Sequence, residues 1–213
     1  VTAVPHGAKS FLVAALALPW LLKFLWAPLV DGWGSQRFGH YRTWIVPLQT
    51  ASVLCVAVIA YLRPGGALLP LLFAGAAFML CSATQDIATD GLAVRMLDHR
   101  ERGLGNGIQV GAYRIGMILG GGLLLWVFAR TDWATMFACM AALLAVTVLP
   151  VLWLREPPPP QAALRPSAAQ LAAGWIHRLR VPGMGAFIAL ISFYKFGDSM
   201  VATLIGPFMR DSG

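Results

Sequence analysis

Residues 133–154 read WATMFACMAALLAVTVLPVLWL, a run of 22 residues without a charged side chain. An α-helix needs about 20 consecutive apolar residues to cross the hydrocarbon core of a bilayer. Two further charge-free runs of 19 residues each occupy 44–62 and 67–85. These three stretches predict membrane-spanning helices, and they decide the class of the fold.

The composition of the whole chain agrees with a membrane protein. Of the 213 residues, 58% are hydrophobic and only 12% are charged, whereas soluble domains average about 45–50% and about 25%. The 8 Trp and 11 Phe exclude a disordered chain, and 3 Cys exclude a disulfide scaffold. The net charge of +7 comes from arginines in the loops, so we expect a lipid bilayer as partner and no nucleic acid.

Three more apolar runs have the length of a span but are interrupted by ionisable residues. They are 11–30 with Lys23, 104–128 with Arg114, and 181–204 with Lys195 and Asp198. With the charge-free runs they predict an all-α membrane protein with six transmembrane helices. Because Val1 is not an initiator Met, we expect the chain to be a fragment, incomplete at both ends.

Arginine placement predicts the orientation of the six spans. The loops 31–43, 95–103 and 155–180 carry nine arginines, more than twice the number of basic residues in the alternate segments. Cytoplasmic loops carry an excess of Lys and Arg, so these three loops are predicted to be cytoplasmic and both chain ends to lie outside.

Loop 155–180 has two parts. Residues 157–160 are four consecutive prolines, which predict an extended segment. Leu171, Trp175 and Leu179 then recur at every fourth position, which favours a short amphipathic helix on the inner membrane surface. A plain linker is the alternative.

Six ionisable residues lie at membrane depth, and they are Lys23, Asp86, Asp90, Arg114, Lys195 and Asp198. Each costs roughly 2.5–3.5 kcal/mol to insert, so such residues usually face a bundle interior or an aqueous cavity. Lys23, Arg114 and Lys195 fall near mid-membrane at about 1.5 Å of helix per residue. They predict a ring of positive charge that binds an anionic solute, with Gln85 and Tyr113 as polar neighbours. The alternative for Gln85 and Tyr113 is hydrogen bonding between helices.

The carboxylates are candidates for proton transfer. Asp86 and Asp90 are four residues apart and share a helix face, so Asp86, then Asp198 and Asp90, are predicted to couple transport to protons. The structural alternative pairs Asp86 with Arg114, and Asp90 with Arg95 or Arg100.

The sequence offers little for an enzyme. It lacks metal-ligand spacing and a Ser/His/Asp arrangement, so we expect no metal site and no cofactor. Residues 86–95 have a partial likeness to the acidic motif of CDP-alcohol phosphatidyltransferases. The first two Asp are one residue too far apart, and the second Asp pair is absent from 104–120.

Several separated stretches resemble one transporter family. The loop containing Asp31, Arg37, Gly39 and Arg42 resembles the signature between helices 2 and 3 of major facilitator transporters. More specific strings are similar to AmpG-type muropeptide permeases and their acetyl-CoA transporter relatives. These strings are LKFLWAPLVD at 22–31, SATQDIATD at 82–90, ERGLGN at 101–106, YRIGM at 113–117 and YKFGD at 194–198.

The resemblance implies a bundle of twelve helices in two halves, of which this chain carries helices 2 to 7. Residues 1–154 would be an N-terminal half-bundle without its first helix, 155–180 the cytoplasmic inter-half loop, and 181–213 the first helix of the second half. It also implies a monomer in the bacterial inner membrane that imports anhydro-muropeptides by alternating access, with the proton gradient as energy source. The carboxylates of such sugar-peptides suit Lys23, Arg114 and Lys195, while Asp31, Arg37, Gly39 and Arg42 would form a gate loop.

The gate loop departs from the family pattern at Gly32, where Arg is usual. Two alternatives therefore stay open within the same fold. One is a transporter for another anionic conjugate, such as an acyl-CoA, and the other is a membrane sensor that does not transport.

Overall fold

The structure, a computed structural model, describes residues 16, 18–35, 37–62, 68–157, 168–194, 196 and 197. Within these residues the chain is helical, and the only extended pairing is one isolated bridge between Ser35 and Gly39. The helices are α1 (Ala27–Gly32), α2 (Arg42–Tyr61), α3 (Leu68–Met96), α4 (Arg102–Ile118), α5 (Leu124–Arg130), α6 (Trp133–Val146), α7 (Val148–Trp153), α8 (Ala168–Leu179) and α9 (Met184–Tyr194).

Four of the predicted spans are confirmed as helical segments long and apolar enough to cross a membrane. They are Arg42–Tyr61, Leu69–Met96, Arg102–Arg130 and Trp133–Trp153. The third joins α4 to α5 through a π-helical turn at Leu119–Leu123. The predicted spans 11–30 and 181–204 extend outside the described residues.

The helix α3 extends past the charge-free run 67–85 and ends at Met96, close to the predicted start of the next loop at 95. An acidic side chain does not interrupt a helix backbone. Asp86 and Asp90 therefore lie on one continuous helix, as their spacing predicted.

Proline interrupts two spans that were predicted as single helices. Lys23–Leu25 form a 3₁₀ turn, and α1 begins only at Ala27, with Pro28 in its first turn. Pro150 similarly lies just after the break between α6 and α7 at Thr147. Proline has no N–H and its ring clashes with the carbonyl four residues earlier, so the regular helix ends before it.

The helix α2 packs on both α3 and α6 and lies between them in the helical bundle. Near its middle, the Gln49 side-chain amide donates to the Leu144 carbonyl at 2.8 Å and to the Thr147 hydroxyl at 2.7 Å. Near its end, the Trp133 indole donates to the Ile59 carbonyl at 2.9 Å. These bonds satisfy polar groups inside an apolar bundle and fix the position of α6 along α2.

The buried core lies toward the end of the bundle where α2 begins. Its buried side chains are Val30, Ile45, Ile87, Ala88 and Leu92, contributed by α1, α2 and α3. Trp26, Trp44, Val151 and Leu154 pack around this cluster. The core therefore joins α1 to α3 directly beside the ionisable residues of α3.

The chain divides into two compact units, 1–163 and 164–213. In the second unit, α8 contains Leu171, Trp175 and Leu179, so the predicted helix is confirmed as a helix. Its place at a membrane surface stays a prediction, as do the predicted domain boundaries. The apolar helix α9 follows α8 after a short turn.

Candidate functional site

The centre of the candidate site is an ion pair between Lys23 and Asp86, residues that are 63 positions apart. The Lys23 ammonium donates to Asp86 Oδ2 and lies 5.0 Å from the centre of the Trp20 ring. Both charged side chains are about one-third exposed in the isolated chain. The ammonium thus has an anion on one side and an aromatic face on another, two arrangements that stabilise a cation.

Two features of the local fold hold this pair in register. The 3₁₀ turn brings Lys23 to the face of α3, and three residues later the Trp26 indole donates to the Thr84 hydroxyl at 3.2 Å. Thr84 itself donates to the Leu80 carbonyl of its own helix. The contact between Trp26 and Thr84 lies next to the buried core. The backbone segments that carry Lys23 and Asp86 are therefore packed against each other.

A cavity of about 900 Å³ opens beside Asp86. Its lining combines aromatic rings, carboxamides, hydroxyls and carboxylates, including Trp20, Gln49, Ser82, Gln85, Asp86, Thr89, Asp90, Asn106, Gln109 and Tyr113. Four predicted site residues are therefore brought together, namely Gln85, Asp86, Asp90 and Tyr113. The sequence analysis missed Trp20, Gln49, Asn106 and Gln109, because uncharged residues inside apolar runs resemble ordinary packing positions.

Asp90 has a neutral partner across the cavity. Its Oδ1 accepts a hydrogen bond of 2.7 Å from the side-chain amide of Gln109 on α4. The alternative pairing of Asp90 with Arg95 or Arg100 is wrong in this structure, as is the pairing of Asp86 with Arg114. Asp86 is paired with Lys23 instead, and Arg95 is paired with Glu156.

The predicted ring of three cations is not assembled in the described residues. Arg114 is exposed on α4 and does not line the cavity. Lys195 and Asp198 lie outside the described residues, so their predicted roles stay predictions. Among the residues described, no three His, Cys, Asp or Glu side chains are grouped closely enough to hold a metal ion.

A second polar cluster lies at the end of the bundle where α2 begins. The Glu156 carboxylate is 1% exposed and accepts hydrogen bonds from the backbone amides of Tyr41 at 3.1 Å and Arg42 at 3.2 Å. It also accepts one from the Arg95 guanidinium at 3.1 Å. We call Asp31, Tyr41, Arg42, Arg95 and Glu156 the Glu156 cluster.

Arg42 and Tyr41 connect the gate loop to its surroundings in different ways. The Arg42 guanidinium donates to the Leu152 carbonyl at 2.7 Å and to the Leu154 carbonyl at 3.4 Å, which satisfies the end of α7. The Tyr41 hydroxyl donates to Asp31 at 3.2 Å. Burial, together with the negative charge and the hydrogen bond of Asp31, raises the pKa of Tyr41 to about 12. The phenol is therefore neutral and remains a donor at physiological pH.

The predicted gate-loop residues behave differently from one another. Asp31 and Arg42 belong to the Glu156 cluster, while Arg37 is exposed beside the ring of Phe38. Gly39 has φ of +95°, and a Cβ added there would lie 2.6 Å from Glu156 Oε2. Only glycine allows both this backbone conformation and the approach of the carboxylate.

Sequence reasoning missed Glu156 and Arg95 as members of this cluster. Glu156 stands between Arg155 and a proline run, where a charged residue is normally solvated. The sequence did carry one signal. Arg42, Arg95 and Glu156 all lie at or beside span ends that are predicted to face the same side of the membrane. Three loops assigned to one side of the membrane must approach each other, and their opposite charges are then able to pair.

Comparison with known proteins adds independent information. The profile of the Major Facilitator Superfamily matches residues 4–213. The anhydromuropeptide permease of Escherichia coli K12 is 31% identical over 201 residues, which cover 89% of this chain and 39% of that protein. A Haemophilus influenzae protein is 32% identical over 207 residues, covering 94% and 48%. AmpG 4 of Rickettsia felis is 26% identical over 217 residues, covering 96% and 51%. The chain spans about two-fifths to one-half of the length of these relatives.

Proposed function

Because the chain belongs to the major facilitator superfamily, as an AmpG-type member, we propose that the full-length transporter imports anhydro-muropeptides together with protons. The family is one of membrane transporters rather than enzymes. The proposed cargo is a GlcNAc-anhydroMurNAc-peptide that enters the bacterial cytoplasm across the inner membrane. The proposed mechanism is alternating access about a central site.

The observation that carries this proposal is the Lys23–Asp86 pair, of which Asp86 lines a large cavity that also has aromatic and other polar side chains. Charged residues at membrane depth are costly, and they mark solute and ion pathways. A protein that only needed a stable bundle would be more stable with apolar residues at both positions. The ammonium supports binding of a solute carboxylate, and the Asp86 carboxylate supports proton transfer.

The remaining lining supports a sugar-peptide over a purely apolar solute. The carboxamide of Gln85 offers donors and an acceptor for hydroxyl and acetamido groups, and Gln109 keeps its oxygen and one N–H beyond the bond to Asp90. The rings of Trp20 and Tyr113 offer apolar faces for the same ligand. A volume of about 900 Å³ is at the upper end of small-molecule sites. The relatives named for anhydro-muropeptide transport point the same way.

Proton coupling is assigned first to Asp86, and then to Asp90 and Asp198. Asp86 is in contact with a cation and also lines the cavity, so a change in its protonation alters the charge presented to the solute. Asp31, Arg37, Gly39 and Arg42 are proposed to form the gate loop on the cytoplasmic side. The Glu156 cluster would then hold that loop against the ends of α3 and α7.

The experiment that tests the cargo and the coupling is an uptake assay. The full-length gene is expressed in a bacterium that lacks its own muropeptide permease, and accumulation of labelled GlcNAc-anhydroMurNAc-peptide is measured with and without a protonophore. We expect accumulation that the protonophore abolishes. Asp86→Asn should prevent accumulation against a gradient, whereas Asp98→Asn, which removes an exposed carboxylate outside the cavity, should not.

Two results would contradict the proposal. If the protein reaches the membrane but no labelled muropeptide enters, the cargo is wrong and an acyl-CoA or another anionic conjugate is tested next. If uptake is unchanged by the protonophore and by Asp86→Asn, the proton coupling is wrong.

A further inference from the structure

One face of α4 supplies a polar wall of the cavity. The polar residues of α4 in this wall are Arg102, Asn106, Gln109 and Tyr113. They are spaced by three or four positions and therefore share one side of the helix. Opposite them, Asp90 of α3 lines the same cavity and accepts a hydrogen bond of 2.7 Å from the side chain of Gln109. Gln109 is thus a cavity residue that is held from across the cavity wall.

The chemistry of the two groups fixes the direction of this hydrogen bond. An ionised carboxylate only accepts hydrogen bonds, whereas a carboxamide has a donor end and an acceptor end. If the amide of Gln109 turned over, its oxygen would face the oxygen of Asp90 with no proton between them. Gln109 therefore keeps Nε2 toward Asp90, and its Oε1 is left for a ligand in the cavity that both residues line.

Gln109 differs in this respect from the other carboxamides of the cavity. Gln49 is only 5% exposed, and its amide nitrogen already donates to the Leu144 carbonyl and the Thr147 hydroxyl. Within the described part of the chain, no charged group holds the side chain of Gln85 or Asn106 in one orientation. Those two amides are able to offer either end to a ligand, whereas Gln109 presents a defined acceptor.

We propose that Gln109 Oε1 accepts a hydrogen bond from an amide N–H of the solute, and that Asp90 is the positioning residue that keeps Gln109 turned for it. This role rests on the proposed function and adds a contact that selects the cargo. A GlcNAc-anhydroMurNAc-peptide carries amide N–H groups in its acetamido substituents and in its peptide bonds. An ester in the same place has a carbonyl but no N–H, so it would leave Oε1 without a donor.

The test compares the amide ligand with two esters of the same size. In one ester, oxygen replaces the N–H of the acetamido groups, and in the other it replaces the N–H of the peptide bond nearest the sugar. Calorimetry measures the binding of each ligand to the purified full-length transporter. We expect one ester to bind about threefold to tenfold more weakly than the amide, as the loss of one neutral hydrogen bond predicts. That ester identifies whether the sugar or the peptide supplies the N–H.

Variants of the two residues assign this preference for N–H to Gln109. Gln109→Leu should abolish the preference. Asp90→Asn should reduce it, because an Asn side chain is able to donate to Gln109 and occupy its oxygen. In the Gln109→Leu background, Asp90→Asn should have no further effect on the preference, as expected of a residue that acts through Gln109. Asn106→Leu, on the same face of α4, is the matched control and should change the affinities for amide and ester by the same factor.

Three results would overturn the proposal. In the wild type, equal binding of the amide and both esters would mean that no N–H is recognised, and this measurement does not depend on the folding of any variant. Equal weakening of amide and esters by Gln109→Leu would mean that the bond to Asp90 only joins two helices. Loss of the preference in Asn106→Leu but not in Gln109→Leu would assign the contact to the wrong residue.

A reciprocal exchange of the two side chains separates failure of this proposal from failure of the proposed cargo. Gln109→Glu alone brings two carboxylates together and should lower the unfolding temperature of the full-length transporter. Adding Asp90→Asn restores a donor and an acceptor in the opposite direction and should recover most of the loss. If muropeptide does not bind but the double variant recovers, the cargo is wrong and the fixed orientation of Gln109 stands. If muropeptide binds but the double variant does not recover, the cargo stands and the positioning by Asp90 is rejected.

Discussion

The Glu156 carboxylate accepts the backbone N–H groups of Tyr41 and Arg42, although 115 residues separate Glu156 from Tyr41. The helix α2 begins here without a side-chain cap of its own. Its first amides point at an anion, which is the arrangement that the dipole of a helix N-terminus favours. Since Arg95 at the end of α3 binds the same carboxylate, Glu156 joins the ends of α2, α3 and α7.

Removal of the Glu156 carboxylate should destabilise the protein measurably. Glu156→Ala leaves two amides and the Arg95 guanidinium without their acceptor, and we expect a loss of about 2–3 kcal/mol. Glu156→Gln keeps an acceptor oxygen and should lose less. Thermal unfolding of the purified full-length transporter measures both, with Asp98→Ala, which removes an exposed carboxylate, expected within about 0.5 kcal/mol of wild type. Equal stability of Glu156→Ala and Asp98→Ala would show that the cluster contributes nothing.

Gly39 should not tolerate a methyl group. Gly39→Ala places Cβ 2.6 Å from Glu156 Oε2 and keeps φ at +95°, and the backbone conformation alone costs about 1–2 kcal/mol for a residue with Cβ. Gly103→Ala is the matched control, because Gly103 lies in α4 with open space where its Cβ would be. We expect a lower unfolding temperature for Gly39→Ala and an unchanged or higher one for Gly103→Ala. The same sign for both variants would refute the close approach at Gly39.

The Tyr41 phenol should titrate far above its ordinary pKa. The pKa is raised to about 12, chiefly by burial and then by Asp31. Asp31→Asn should therefore lower the pKa of Tyr41 without returning it to its ordinary value, because burial remains. Phenolate absorbance measured against pH tests this, with Tyr41→Phe identifying the transition. An identical pKa of Tyr41 in wild type and in Asp31→Asn would exclude the contact.

The same shift makes a prediction for stability. The phenol has a higher pKa in the folded protein than its ordinary value of 10.0, which applies to the unfolded chain. The folded state therefore loses stability as the pH rises from about 10 toward 12, because in this range only the unfolded chain releases the phenol proton of Tyr41. Below about pH 10 the Tyr41 phenol is protonated in both the folded and the unfolded chain and contributes no pH dependence to stability. Tyr41→Phe should show a smaller loss of stability over that alkaline range than wild type when unfolding is measured at several pH values.

The orientation of the bundle is testable by labelling. Arg100→Cys lies in a loop predicted to be cytoplasmic, and Arg130→Cys at the opposite end of the span Arg102–Arg130. Each is introduced into a background without other cysteines, and a membrane-impermeant thiol reagent is added to intact cells. The reagent should modify the Arg130→Cys protein and spare the Arg100→Cys protein. The opposite pattern would mean that the topology is inverted.

Most of the architecture was predictable because span length and charge placement are local properties. The runs at 44–62 and 133–154 became α2 and the α6–α7 pair. The error came from one residue type. Pro28 and Pro150 were counted as apolar although they interrupt the helix backbone. Hydropathy describes the side chain, whereas helix continuity depends on the backbone N–H.

The site was less predictable, because partner choice is not local. The sequence identified Lys23 and Asp86 as charges at membrane depth, but the partner it predicted for Asp86 was Arg114 and not Lys23. The 3₁₀ turn before Pro28 and the hydrogen bond from Trp26 to Thr84 place Lys23 beside Asp86. Both features depend on packing between α1 and α3. The role of Glu156 could not be predicted for a related reason, because its three partners lie 61 to 115 residues away in the sequence.

The dependence of α2 on a carboxylate so far along the chain also orders events during biosynthesis. At about 5–20 residues per second, the ribosome needs roughly 6–23 s to add the 115 residues between Tyr41 and Glu156. Until then the first turn of α2 and the guanidinium of Arg95 have no partner from Glu156. The nascent bundle therefore enters the membrane before the Glu156 cluster can form. Synthesis of α7 and of Glu156 then completes the cluster. Variants of Glu156 should accordingly leave insertion of the earlier spans intact and impair the final closure of the bundle.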